Sequence, residues 1–214
     1  MSRRIVLIIS CIGLIAAVAA IFWWVKSQPQ RHFDFIKTDV AITSNADDFV
    51  YGSDTAPLTV YMFATYNCRH CRNFLALDLP YIQQHYTDSG LVRFVIKSIE
   101  PAENSDMMSA LQLAACMNRN GNADDILKLL LTEPSAVYTD EFRQLIDDII
   151  NNNEELAECL TADNFSGIKQ NNSNFFALKS KVTPIFVINN HLYKGHRKLN
   201  RFLEVLDYEL NIVK

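Results

Sequence analysis

The sequence predicts an α/β fold interrupted by a block of helices and carried behind an N-terminal membrane segment. Three observations predict it. Residues 58–96 read as strand, Cys-x-x-Cys, helix, strand. Residues 105–181 carry helical periodicity throughout, and residues 185–212 read as strand, strand, helix.

The 214 residues suffice for one domain of ordinary size, or one with an insertion. Hydrophobic residues at 49% and charged residues at 21% are ordinary for a globular chain. Six Gly and six Pro exclude collagen-like and Pro/Gly-rich disordered classes. A net charge of −4 argues against a nucleic-acid partner. Arg3, Arg4 and Lys26 are the only charges before residue 27, so the remainder holds 17 basic and 24 acidic residues.

Residues 5–25 are an uncharged apolar run of 21 residues. At about 1.5 Å per residue such a helix spans a bilayer core of roughly 30 Å. Arg3 and Arg4 ahead of it place the N-terminus in the cytoplasm, and Trp23 and Trp24 suit the far interface. Ala17-Val18-Ala19 also fits a signal-peptide cleavage site. The run continues past it to Val25, which favours an uncleaved anchor. Either way residues 27–214 lie across the membrane. Cys11 reads as a small apolar membrane residue.

Residues 27–56 read as a polar tether and an irregular lead-in. Leu58–Tyr66 is β-branched and aromatic, as a buried strand would be. Cys68-Arg69-His70-Cys71 follows. The helical pattern of Arg72–Tyr86 contains Pro80, which predicts a kink. Ser89-Gly90 turns into a second strand, Leu91–Ile96, so a parallel βαβ unit opens the fold. In the helical block, Thr139-Asp140-Glu141 reads as a cap ahead of Phe142, Leu145, Ile146, Ile149 and Ile150. Ile185–Ile188 and Leu192–Lys194 flank an Asn189-Asn190 hairpin turn, and Leu199–Ile212 is a closing amphipathic helix. The expected organisation is anchor 1–26, tether 27–48, sheet part 49–98, helical insertion 99–181 and sheet part 182–214.

Two cysteines separated by two residues at a helix start have a particular chemistry. Free backbone N–H groups and the helix dipole favour negative charge on the first thiol. Thiolate is the reactive form. Cys68 is therefore the candidate nucleophile and Cys71 the shielded resolving thiol. Arg69 and His70 add donors and positive charge, stabilising the thiolate and making the disulfide an oxidant. A zinc site would need two more Cys or His at suitable spacing, and His85, His191 and His196 are scattered. Haem attachment fails because position 72 is Arg. No metal and no cofactor is expected. Pro184 precedes a buried strand and must sit at its start. A Pro at a strand start is compatible with either a cis or a trans Thr183–Pro184 bond.

These features together resemble the thioredoxin fold. The 112 residues between Cys71 and Pro184 leave room for an inserted helical domain, which resembles the DsbA-like family of exported thiol oxidoreductases. The similarity covers roughly residues 49–212. It rests on Gly52-x-x-x-Ala56-Pro57, Cys68-Arg69-His70-Cys71, Pro80 and Thr183-Pro184-Ile185-Phe186-Val187-Ile188-Asn189.

The resemblance implies a redox-active Cys68–Cys71 pair, His70 stabilising the thiolate, and a cis-Pro loop (Val182, Thr183, Pro184) that holds substrate backbone by edge-strand pairing. It implies a protein dithiol oxidase in the bacterial inner membrane, a single-pass protein with its catalytic domain on the periplasmic or extracytoplasmic face. Its partners would be reduced or unfolded exported proteins and a DsbB-type membrane oxidase. Residues 27–50 are too short for the dimerisation domain of many isomerases, so a monomer is expected. A reductase or isomerase kept reduced by a transmembrane donor remains an alternative, as does a non-catalytic chaperone. The chain departs from the family at Arg69, often Pro there, at Met62, often a buried acid, and at Val182, usually Gly. Cys116 and Cys159 lie on apolar helical stretches, and some relatives pair such cysteines. A structural disulfide is expected, with two buried free thiols as the alternative.

Overall fold

β-Branched and aromatic residues dominate two of the segments expected as strands, and these pair side by side. The computed structural model describes residues 33–102, 105–161 and 165–213. The apolar run at 5–25 lies outside them. Among the described residues no helix is long and apolar enough to cross a membrane.

Six strands form one sheet: β1 (Ile36–Lys37), β2 (Phe49–Tyr51), β3 (Leu58–Ala64), β4 (Val92–Ser98), β5 (Ile185–Ile188) and β6 (His191–Lys194), in the order β1-β6-β5-β3-β4-β2. β3 and β4 are parallel, with Leu58 opposite Val92 and Ala64 opposite Ser98. Every other neighbouring pair is antiparallel. Asn189 and Asn190 both have positive φ, 48° and 62°, as a two-residue hairpin turn matched to strand twist requires. Gly52 has φ +91°, and a Cβ there would stand 2.5 Å from the Val92 carbonyl oxygen. Only glycine fits that approach.

Successive side chains of a strand point to opposite faces, so the sheet has two cores. One is aromatic: Phe74, Phe94, Phe186 and Phe202 pack with ring centroids 4.7 to 5.9 Å apart. The other contains Phe63, Ile99, Phe175, Leu178, Ile185, Val187 and Leu192.

Residues 69–87 wind continuously, but not as one α-helix. α1 (Arg69–Asn73) passes into a π-helical turn (Phe74–Asp78), then α2 (Leu79–Ile82) and a second π-helical turn (Gln83–Thr87). Pro80 sits in the first turn of α2. Lacking an N–H, it has no bond to offer the turn before it, and that turn widens where a kink was expected.

Between β4 and β5 lie α3 (Asp106–Arg119), α4 (Asp124–Thr132), a 3₁₀ segment (Pro134–Tyr138), α5 (Asp140–Asn152), α6 (Glu154–Thr161) and α7 (Ser166–Ala177). Ser105 and Thr139 cap α3 and α5 through their hydroxyls, at 3.1 Å to Met108 N and 3.3 Å to Phe142 N. α5 fully buries only Phe142 and leaves Leu145 and Ile150 exposed. As an outer helix it has fewer layers to cover it than its pattern suggested. Cys116 on α3 and Cys159 on α6 are joined as a disulfide, Cα–Cα 6.0 Å. α8 (Leu199–Val213) closes the fold.

The stretch expected as tether and irregular lead-in is more ordered than its composition suggests. It contributes β1 and β2, and Asp47 and Asp48 are buried. Asp48 pairs with Lys97 of β4 at 2.7 Å, and both side chains are fully buried. Asn171 of α7 donates to Asp48 and accepts from Lys97, each at 3.0 Å. Asp47 accepts from Ile168 N at 3.1 Å and pairs with Arg119. Burial costs a charge less when a partner and hydrogen bonds come with it, and this set supplies both. The partners of the two aspartates stand tens of residues away, so the irregular lead-in read from this stretch gave no sign of its order.

Candidate active site

Cys68 ends the loop after β3 and occupies the N-cap position of α1, with φ −86° and ψ 114°. Its carbonyl oxygen accepts from Arg72 N at 3.1 Å, beginning the helix. The extended conformation turns the side chain toward the N–H groups that the first turn leaves without helical partners. Cys68 is half-buried and Cys71 fully buried, and both are free thiols. The Arg72 guanidinium donates to the Tyr66 carbonyl oxygen at 2.6 Å, tying the loop to the helix.

The second half of the site comes from the far end of the chain. Thr183–Pro184 is a cis peptide bond at the start of β5. The Cys68 thiol donates to the Thr183 carbonyl oxygen at 3.4 Å. Strand pairing forces this meeting, because β5 lies beside β3 with Phe63 opposite Ile185. Cys68 and Thr183, 115 residues apart in sequence, thus meet.

The environment divides the two thiols. Burial pushes Cys68 up, but hydrogen bonds from the Thr183 side chain, from Cys71 and from the His70 N–H outweigh it, and the net shift is downward. Burial pushes Cys71 up to about 12, and the neighbouring Cys68 charge adds to it. Cys68 is thus the more readily ionised of the two thiols, and Cys71 holds its proton.

The remaining residues singled out from the sequence fall around this pair. Arg69 and His70 are exposed on the first turn. Val182 is 49% exposed beside Thr183, its N–H bonded to Ser180 Oγ at 3.3 Å. Met62 is fully buried in β3, opposite Ile96 of β4 and Phe186 of β5, so neither strand partner presents an acid there.

Three contacts near the site were not legible in sequence. The His196 ring lies 6.1 Å from that of His70, and its Nε2 is 2.7 Å from Asp78 Oδ2. The Tyr138 hydroxyl of the helical insertion donates to Asn67 Oδ1 at 3.1 Å, beside Cys68. His196 and Asp78 are 118 residues apart and Tyr138 and Asn67 are 71 apart, so no local pattern could have joined them.

Comparison with known proteins places this arrangement. The Thioredoxin family model matches residues 44–208. A Rickettsia prowazekii protein named as a protein-disulfide oxidoreductase is 24% identical, over 76% of this chain and 62% of that protein. This chain thus spans less than two thirds of that relative's length. Disulfide bond formation protein D of Bacillus subtilis is also 24% identical, over 75% of this chain and 76% of that one. The crystal structure of Wolbachia pipientis alpha-DsbA1 superposes with a TM-score of 0.61 at 20% identity, covering 78% of this chain and 92% of that chain. At that identity the match speaks for the fold. The chain belongs to the thioredoxin family, and its fold is the one the DsbA structure has.

Proposed function

We propose that this protein is a membrane-anchored dithiol oxidase that passes its Cys68–Cys71 disulfide to exported proteins. The observation that carries the reading is the division of the two thiols, with Cys68 accessible and shifted downward and Cys71 buried and shifted upward. A disulfide whose reduced form is stabilised in this way is a good oxidant.

The exchange balances as follows. A substrate thiolate attacks Cys68 Sγ of the disulfide, forming a substrate–Cys68 bond and releasing Cys71, which takes up a proton. A second substrate thiolate then attacks the substrate sulfur of that mixed disulfide, forming the substrate's own disulfide and releasing Cys68 as thiolate. Two electrons pass from substrate to enzyme. A quinone-linked membrane oxidase of the DsbB type would take them on. The His70 N–H favours the Cys68 thiolate by a hydrogen bond and Arg69 by its charge, and Thr183 and Pro184 align the substrate backbone, with Val182 at the rim.

Residues 5–25 serve as the anchor, with the N-terminus in the cytoplasm and residues 27–214 on the opposite face of a bacterial inner membrane. Full-length protein should stay with the membrane through a high-salt wash. Recovery of a soluble form starting near Ala20 would establish a cleaved signal instead.

The test of direction is the reduction potential of the Cys68–Cys71 couple. The oxidase reading expects a value well above thioredoxin's, in the direction of the about −120 mV known for DsbA. A value near about −270 mV would turn the reading to a reductase.

A further inference from the structure

The region behind the cis-Pro loop holds a feature the exchange chemistry does not use. A groove of about 500 Å³ opens between the β1–β6 edge of the sheet and the C-terminal end of α7. Leu178 and Leu192, both buried, form part of its floor, and Ile36, 54% exposed, part of its wall. Lys37, Lys179 and Lys194 stand around it, all exposed. Asp39 is the acidic member of the lining.

Two lining residues of this groove stand close in the fold to the cis-Pro loop. Lys194 stands opposite Ile185, the residue after Pro184, and the Gly195 N–H donates to the Pro184 carbonyl oxygen at 2.8 Å. Lys179 lies four residues before Thr183, a separation of at most roughly 14 Å in extended chain. Between them run Lys181 and Val182, both exposed. A peptide paired with the backbone at Val182 and Thr183 and continuing along the loop would enter the groove.

The charge is the informative part. Residues 27–214 carry 24 acidic and 17 basic groups. On that background Lys37, Lys179 and Lys194 line one groove beside apolar surface, with Asp39 as the acid in its lining. A polypeptide partner carrying carboxylates next to apolar residues complements both features. We propose that this groove is an extension of the substrate site that prefers acidic segments near the reacting cysteine. The inference rests on the disulfide-exchange reading above and names the substrate class for it.

The test uses the oxidised full-length chain in detergent. Two synthetic peptides with the same cysteine pair and the same apolar residues serve as probes. One carries three Glu flanking the pair on each side, the other three Lys. Second-order rates of peptide oxidation are taken relative to the rate with dithiothreitol, which is too small to fill the groove. The acidic peptide should react about tenfold faster at low salt, a difference of about 1.4 kcal/mol in barrier. The gap should shrink at high salt, because exposed charges are screened. In the Lys37→Glu, Lys179→Glu, Lys194→Glu triple variant the preference should reverse. Equal rates for the two peptides, or a preference that the triple variant keeps, would overturn the inference while leaving disulfide exchange intact. If neither peptide nor dithiothreitol reduces the Cys68–Cys71 disulfide, the exchange reading falls and the groove's role falls with it.

Discussion

Cys68 and Cys71 are one helical turn apart yet face different surroundings. Cys68, at the N-cap, is reached by solvent and by the N–H groups of the first turn. Cys71, on the inner side of the same turn, is surrounded by core. Iodoacetamide reacts with thiolate, so the rate on the reduced protein reports ionisation. Lowering the pKa moves the onset of reaction to lower pH, so the Cys68 midpoint should lie below that of an ordinary free thiol. Cys71 should not label below pH 10, because its ionisation is held off to about 12. A single labelled cysteine mapped to position 71, or a midpoint above the ordinary value, would contradict the assignment. A second outcome belongs to the same pair. With Cys71→Ala, Cys68 still attacks a disulfide but nothing within the protein resolves the product, so mixed disulfides should accumulate on non-reducing gels and vanish with dithiothreitol. Cys68→Ala should accumulate none. The same adducts from both variants would mean the roles are assigned the wrong way round.

At the scale of elements, what could be read from the sequence and what could not divide along one line. The strand–Cys-x-x-Cys–helix–strand unit is local, and periodicity and flanking turns disclose it. The Asn189-Asn190 hairpin is equally local. The lead-in was opaque because its order comes from partners elsewhere in the chain: Asp48 meets Lys97 across 49 residues and Asn171 across 123. Two adjacent aspartates with no visible counter-ion read as solvent-facing turn. Their burial makes them expensive to alter singly. Asp48→Ala leaves Lys97 buried without its charge partner, and breaking a buried pair in this way costs about 3–5 kcal/mol. Urea denaturation should move to a lower midpoint by that equivalent. Replacing both partners together, as Asp48→Leu with Lys97→Met, removes the stranded charge and should recover much of the loss. If the double variant is as unstable as Asp48→Ala, the cost lies in the hydrogen bonds Asp48 accepts from Asn45 N, at 2.8 Å, and from Asn171 rather than in the ion pair. The widened turns around Pro80 were legible only in part. The proline announced an irregularity, but the choice between a kink and a π-helical turn depends on what packs around it.

For the whole molecule, the helical insertion is tied to the sheet on one side and to the candidate site on the other. α7 supplies Phe175 to the sheet's second core and Asn171 to the Lys97 network, and Tyr138 reaches Asn67 beside Cys68. Within the insertion, the Cys116–Cys159 disulfide joins α3 to α6 across 43 residues. Cys116 is buried and the α3 face around it is core, so the bond fastens an outer helix to an inner one. The pairing was within reach of the sequence only through the family resemblance, since two apolar helical stretches can as readily bury two free thiols. Closing a loop of this length removes unfolded-chain entropy equivalent to about 4 kcal/mol in the chain-entropy model, and measured bridges give about 2–4. The Cys116→Ala, Cys159→Ala double variant should therefore melt roughly 5–15 °C lower in a protein of this size. It should still fold and still show a lowered Cys68 midpoint, because neither cysteine contacts the Cys68 thiol. Alkylation of the denatured, unreduced wild-type protein, with Cys68–Cys71 oxidised, should leave positions 116 and 159 unmodified. Labels at both positions, together with an unchanged melting temperature in the double variant, would mean that the insertion is held by packing alone.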